Sequence, residues 1–323
     1  MNTVLLTGAA GFIGSHVARN LLANGYAVVG LDNMNDYYDP RLKQYRVDRL
    51  LPLGAFRFAN VDVRDARALE TLFTGERLNA VIHLAAMAGV RYSQEHPDEY
   101  VTTNIGGTLN ILRLAEKHGV GKIVFASSSS VYSGSAMPFR EESVTDSPIS
   151  TYGATKKSGE LLMHAFHAQH GICVAVLRYF SVYGPQGRPD MSYFRFIRAI
   201  DEGVPLHIHG DGSQSRDFTH VEDAARATVE ALNLDGFHVL NVAGGKDPVS
   251  LNTLVELTAG LLGKQAMVRY GERHATDLER TQADISKAID ALRWKPRVEF
   301  REGLRSAVEW HVENRDFVRS LRY

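Results

Sequence analysis

Tyr152 and Lys156 stand four residues apart, one helical turn, so both side chains leave the same face of a helix that begins near Thr151. That pairing has chemical content. A phenol with a pKa of about 10 is a poor base at neutral pH, but a nearby ammonium favours the phenolate. The run Ser127-Ser128-Ser129-Ser130 follows an apolar stretch, which places hydroxyls at the carboxyl end of an expected strand. Ser128 is the third member: its hydroxyl can share the proton of a reacting alcohol and hold that oxygen within reach of Tyr152. Serine runs also mark loops, and a Tyr/Lys pair at this spacing arises by chance. An ordered set of glycine loop, serine strand end and Tyr-Lys helix is much harder to obtain that way.

The glycine loop is Gly8-Ala9-Ala10-Gly11-Phe12-Ile13-Gly14, directly after the apolar run Val4-Leu6. Three glycines between a strand and a helix let the backbone turn tightly and bring a helix N-terminus up to a pyrophosphate. Asp32 closes the next apolar run, as a dinucleotide site requires. Its carboxylate can accept from a ribose hydroxyl and would repel a 2′-phosphate, and no Arg or Lys follows immediately in Asn33-Met34-Asn35, so NAD is favoured over NADP. The oxidised nicotinamide would join Lys156 in favouring the Tyr152 phenolate, while Lys156 grips the ribose. Asp62-Val63 reads equally as an adenine contact and as a helix cap.

These groups need a scaffold that brings strand ends together. Short apolar runs at Val4-Leu6, Val28-Leu31, Phe56-Val61, Ala80-Ala85, Ile123-Ser127 and Val174-Arg178 alternate with stretches at helical spacing, Ile13-Asn24, Ala66-Phe73, Pro97-His118 and Tyr152-His170. The expected fold is α/β: a Rossmann-like, doubly wound parallel sheet with a smaller, mostly C-terminal α+β substrate domain. After Arg178 glycines and prolines loosen the pattern, until a helical stretch at Val221-Leu232 and an apolar strand at Phe237-Val242. The expected division is an NAD-binding domain over 1–178, rejoined by about 217–243, and a substrate domain over 179–216 and 244–323.

Composition narrows the classes. With 323 residues, a net charge of −1 and no Lys/Arg run, nucleic acid is not an expected partner. The single Cys173 provides neither a disulfide framework nor a thiolate pair for a metal, which fits a reducing cytoplasm. His164, His167 and His170 recur on one helix without a completing carboxylate or cysteine and read as a solvated face, so no metal is expected. The apolar start runs into Gly8 too soon for a signal peptide or membrane span, and no targeting segment is expected.

Thr7-Gly8-x-x-Gly11-Phe12-Ile13-Gly14 together with Tyr152-x-x-x-Lys156 resembles the extended short-chain dehydrogenase/reductase family, over essentially the whole chain. That resemblance implies cofactor contacts at Gly8, Gly11, Gly14, Asp32, Asp62, Ala85, Ala86, Asn104, Tyr152, Lys156 and Tyr179, with Phe12, Ile13, Asn33, Val63, Ala88 and Arg91 beside them. It also implies a homodimer built on the helices at 97–118 and 152–170. Three further segments, Asn35-Asp36-Tyr37-Tyr38-Asp39-Pro40 with Leu42-Lys43, Ala88-Gly89-Val90-Arg91-Tyr92-Ser93, and Gly187-Arg188-Pro189-Asp190-Met191, resemble the UDP-glucuronate 4-epimerases of that family. Related dehydratases and decarboxylases place Glu directly before the Val-Tyr pair, where this chain has Ser130 before Val131-Tyr132.

The resemblance therefore implies C4 epimerisation of a UDP-sugar, most closely UDP-glucuronate to UDP-galacturonate, with hydride lent to NAD and returned. UDP-galactose or a UDP-N-acetylhexosamine is the alternative substrate. A non-catalytic NAD-binding sensor or scaffold is the alternative of another class, marked by loss of Tyr or Lys, both present here. For a uronate, Ser128, Ser129 and Ser181 are the expected partners of the sugar carboxylate; relatives carry Thr where this chain has Ser181. Arg216 with Arg188 is expected on the UDP diphosphate, Arg91 on the cofactor phosphates and Asp277 on the uridine ribose. The loop Glu272-Arg273-His274-Ala275-Thr276-Asp277 lacks the Pro-Gly that relatives carry before that Asp.

Overall fold

The apolar runs assemble into one parallel sheet in the computed structural model, which describes residues 2–273 and 278–322. Its strands are β1 (Thr3–Thr7), β2 (Ala27–Asp32), β3 (Phe56–Asn60), β4 (Ala80–His83), β5 (Lys122–Ser128), β6 (Cys173–Tyr179) and β7 (Phe237–Val242). They lie in the order β7-β6-β5-β4-β1-β2-β3, every neighbour parallel. The chain winds outward from β1 in both directions, so a crevice opens at the carboxyl ends between β1 and β4.

Alternation along each strand feeds two cores. Val4 and Leu6 pack with α1 (Phe12–Ala23) on one face, whereas Leu5 packs with residues of α3 (Ala66–Gly75) and α4 (Thr108–Lys117) on the other. Both faces are covered, which is why β1 reads as an unbroken apolar run. Phe237–Val242 pairs with β6 from Phe237↔Val174 to Val242↔Tyr179, so the late strand does return to this sheet.

Two helical readings change. The stretch at 97–118 is not one regular helix: Pro97–Tyr100 leads into a π-helical turn over Val101–Gly107 before α4 begins. Inside that wide turn, the Asn104 amide accepts from the Met87 backbone N–H (2.8 Å) and donates to the Met87 carbonyl (3.0 Å). A helix not read from periodicity, α2 (Pro40–Leu50), starts where Asp39 accepts from the Arg41 N–H at 3.0 Å and Pro40 takes the first position.

A separate core joins helices α6 (Ser192–Glu202), α8 (Leu251–Leu262) and α10 (Phe300–Glu313) through Phe194, Ile197, Leu254, Leu304 and Trp310. Between them in sequence lie α5 (Thr151–His170), α7 (Val221–Glu230) and α9 (Ser286–Leu292), and α11 (Arg315–Ser320) closes the series. Leu42 of α2 and Tyr38 just before it reach this second core. Leu206–His209 pairs in parallel with Val268–Gly271 beside it. Among the described residues no helix is long and apolar enough to cross a membrane.

Candidate active site

A cavity of about 890 Å³ runs over the carboxyl ends of the sheet, from the glycine loop to the second core. Gly8 adopts φ +72°, and a Cβ there would stand 2.9 Å from the Ala85 nitrogen; one on Gly14 would meet the Gly8 carbonyl at 2.0 Å. The first approach holds the loop against β4's exit, and the second closes the loop onto the start of α1. No side chain caps the N-terminus of α1, so its first-turn amides remain for an anion in the cavity. With Gly11, Phe12, Ile13, Ala85, Ala86, Ala88 and Arg91 also on the wall, the residues fit a dinucleotide laid across β1 and β4.

Asp32 and Asn33 line the same cavity, as does Val63. Asp32 accepts from the Met34 N–H (2.9 Å) and faces Lys43 Nζ at 3.3 Å, both side chains being buried. No Arg or Lys follows Asp32 immediately, but α2 delivers Lys43 from eleven residues downstream, and it also donates to Asn35 Oδ1 at 2.9 Å. Asp62 is drawn off the cavity wall. Its carboxylate accepts from Arg64 and from Asn33 Nδ2 (2.9 Å), and these partners outweigh burial to lower its pKa to about 2. Asn104 is likewise behind the wall, tying Met87 to Thr155 Oγ1 (3.0 Å). Its place is in the loop's support, because its amide is engaged by protein groups.

At the cavity's centre Ser150 caps α5 by accepting from the Gly153 N–H (3.0 Å), which sets Tyr152 in the first turn. Burial raises the Tyr152 pKa, while a hydrogen bond with Ser128 and the charge of Arg188 oppose the rise. Lys156 Nζ sits 6.0 Å from the Tyr152 ring centre and donates to the Ala126 carbonyl at 2.7 Å. Burial lowers its pKa to about 7 against the pull of Glu160. Arg188 is a cation that the sequence did not assign to Tyr152, and its charge favours the phenolate; Lys156 is itself perturbed by being desolvated.

Arg188 reaches that position through Asp190, with Nε–Oδ1 3.0 Å and Nη2–Oδ2 2.5 Å, and lies over the Tyr37 ring at 5.9 Å. Tyr37 also donates to Asp190 Oδ2 (3.2 Å). These contacts hold Arg188 on the cavity wall, near enough to Tyr152 for its charge to act on the phenol. Ser128, Ser129, Ser130, Ser181, Tyr179 and Arg216 all line the cavity; Tyr179 turns its hydroxyl to Thr228 Oγ1 (2.7 Å). Asp277 lies outside the described residues. Lys43, Tyr37 and Asp190 were missed as site residues, although all three stand in the segments that carried the resemblance.

Residues 4–243 match the family model described as NAD dependent epimerase/dehydratase family. A UDP-glucuronate 4-epimerase of Thermodesulfobacterium geofontis is 47% identical over 322 residues, with 100% of both chains covered. Among solved structures, UDP-glucuronic acid 4-epimerase from Bacillus cereus, in complex with UDP-glucuronic acid and NAD, superposes with a TM-score of 0.91 at 36% identity, covering 96% of this chain and 99% of that one. A UDP-N-acetylglucosamine 4-epimerase from Methanobrevibacter ruminantium M1 gives 0.88 at 33% identity, covering 97% and 99%. Glycine loop, serine strand end and Tyr-Lys helix thus sit on one cavity in a chain that belongs to the NAD dependent epimerase/dehydratase family.

Proposed function

We propose that the chain inverts C4 of UDP-glucuronate to give UDP-galacturonate through a 4-keto intermediate. The observation that carries this reading is the turn Ser128-Ser129-Ser130, which lines the cavity beside Tyr152 with hydroxyls where related decarboxylating enzymes present a carboxylate. Tyr152 takes the proton of the C4 hydroxyl, and Ser128 holds that oxygen through the hydroxyl it turns toward the phenol. When bound, NAD accepts the C4 hydride and gives it back. Gly8, Gly11, Gly14 and the N-terminus of α1 hold its diphosphate, Asp32 its ribose, and Lys156 the ribose next to the reacting ring. Tyr152 would restore the proton to the C4 oxygen once the keto sugar has turned in the cavity.

A uronate oxidised at C4 is a β-keto acid. The hydroxyls of Ser128, Ser129 and Ser181 can orient its carboxylate by donating hydrogen bonds without supplying an acid. Arg216 serves the UDP diphosphate, and Asp277 the uridine ribose. A homodimer and a cytoplasmic setting belong to the same reading: Val101 and Leu161 are 46% and 60% exposed on the two helical stretches expected to pair, and a single cysteine suits a reducing compartment. Incubation with UDP-glucuronate, UDP-glucose and UDP-N-acetylglucosamine, followed by the anomeric NMR signals, tests the substrate. The uronate should be converted to its C4 epimer; conversion of only the neutral sugars rejects it.

A further inference from the structure

Glu160 and Arg178 form a buried ion pair that the reaction above does not use. Neither residue lines the cavity, and each is at most 4% exposed. Glu160 lies two turns beyond Tyr152 and one beyond Lys156 on the same face of α5. Arg178 meets it with two bonds, Nε to Oε1 at 2.8 Å and Nη2 to Oε2 at 2.7 Å. The pair then reaches forward twice. Ser127 Oγ donates to Glu160 Oε1 at 2.5 Å, and Arg178 Nη1 donates to the Tyr132 hydroxyl at 2.8 Å. Tyr132 in turn donates to Asn241 Oδ1 (2.8 Å) and stacks on Phe139 with ring centres 4.9 Å apart.

The segment between these two anchors is the serine turn itself. Within it Ser128 Oγ accepts from the Ser130 N–H (3.1 Å) and donates to Ser130 Oγ (3.2 Å), which ties the turn to itself. A desolvated ion pair costs free energy that an apolar pair would not, and it is a weak source of net stability. It is well suited to fixing geometry, because a bidentate guanidinium–carboxylate contact admits few orientations.

We propose that Glu160 and Arg178 are positioning residues that pin both ends of the serine turn and thereby decide whether the 4-keto uronate is epimerised or loses carbon dioxide; the proposal rests on the uronate reading above. Decarboxylation breaks the bond between C5 and the carboxylate carbon, and its electron pair passes into the C4 carbonyl to form an enolate. Water protonates C5, and the hydride taken in the first step, with the proton held by Tyr152, then reduces the ketone to a UDP-pentose. The bond breaks readily only when it stands perpendicular to the carbonyl plane. A turn held at both ends keeps the carboxylate out of that orientation, whereas a turn free to shift lets it enter.

The test compares wild type with Ser127→Ala, Tyr132→Phe and both together, and with Ser127→Thr, which retains the hydroxyl. Each is given UDP-glucuronate, and UDP-galacturonate and UDP-pentose are quantified alongside NAD retention and melting temperature. The double variant should raise the pentose fraction about tenfold, and Ser127→Thr should keep the wild-type fraction. If the double variant does not fold, Tyr132→Phe, which preserves the stack on Phe139, is read in its place and should raise the fraction. A pentose fraction that stays at the wild-type level, whether or not turnover falls, overturns the proposal. Failure of the wild type itself to epimerise UDP-glucuronate rejects the substrate reading and this proposal with it.

Discussion

At the scale of single residues, Tyr152 and Lys156 do different work, and two substitutions separate them. Tyr152→Phe removes the proposed acid/base while leaving the ring's edge contact with Tyr100, 6.2 Å between centres. Turnover should fall about a thousandfold with NAD retention unchanged, measured by single-turnover kinetics and by bound-cofactor analysis. Lys156 bears a stability cost. Its pKa falls from 10.5 in the ordinary state to about 7 in the fold, chiefly through burial. The unfolded chain therefore binds the proton more tightly, and the penalty is full below about pH 7 and relieved as pH rises toward 10.5. Lys156→Met should abolish activity yet raise the melting temperature of cofactor-free protein by a few degrees at pH 7, with the difference shrinking toward pH 10. A lower melting temperature at pH 7 would contradict this account. The Tyr-Lys spacing was legible in the sequence, but Arg188 near Tyr152 was not: Asp190 holds Arg188 from within its own segment, and Tyr37 fixes Asp190 from a distant one.

At the scale of elements, the strands were legible because burial on both faces of a parallel sheet leaves unbroken apolar runs. The π-helical turn at Val101–Gly107 was not, since Asn104 interrupts the helix by bonding to Met87, a residue far off in sequence. Helix α2 had its signal in Asp39-Pro40, but its most telling residue, Arg46, looks like any surface arginine until the chain folds. It is 1% exposed and donates to Ala10 O (3.0 Å), Tyr38 OH (2.7 Å), Gln186 O (2.7 Å) and Gly187 O (3.1 Å), all neutral acceptors. One side chain thereby ties the glycine loop to the turn before Arg188, where Gln186 takes φ +60°. An ammonium cannot span those acceptors as the guanidinium fork does. Arg46→Lys should weaken both NAD and UDP-sugar binding about tenfold or more by calorimetry and cost about 3 kcal/mol of stability in denaturant titration. Weakening of one ligand alone would show that Arg46 does not join the two loops.

At the scale of the whole molecule, the sheet and the second core meet at the cavity, and the second core was the least legible part. Glycines and prolines from Gly184 onward obscure its periodicity, and its helices pack against one another across long separations. One polar hub orders that packing. Asp201 at the end of α6 accepts from Lys264 Nζ (2.8 Å) after α8 and from Arg315 Nε (2.8 Å) and Nη2 (2.9 Å) at the start of α11. Burial alone would raise the Asp201 pKa, but Arg315 and Lys264 outweigh it and bring it to about 2. Being lowered from 3.8, the group contributes stability above about pH 4 that is lost as pH falls toward 2. Asp201→Asn leaves those cations facing a neutral amide, partly eased by solvent, and should cost about 2 kcal/mol near neutrality with little difference from wild type near pH 2. Because the hub lies in the second core and not under the glycine loop, the loss should raise the KM for UDP-sugar while NAD retention holds. If both fall in step, the two cores open as one cooperative unit, and the sheet depends on the helices packed at its carboxyl edge.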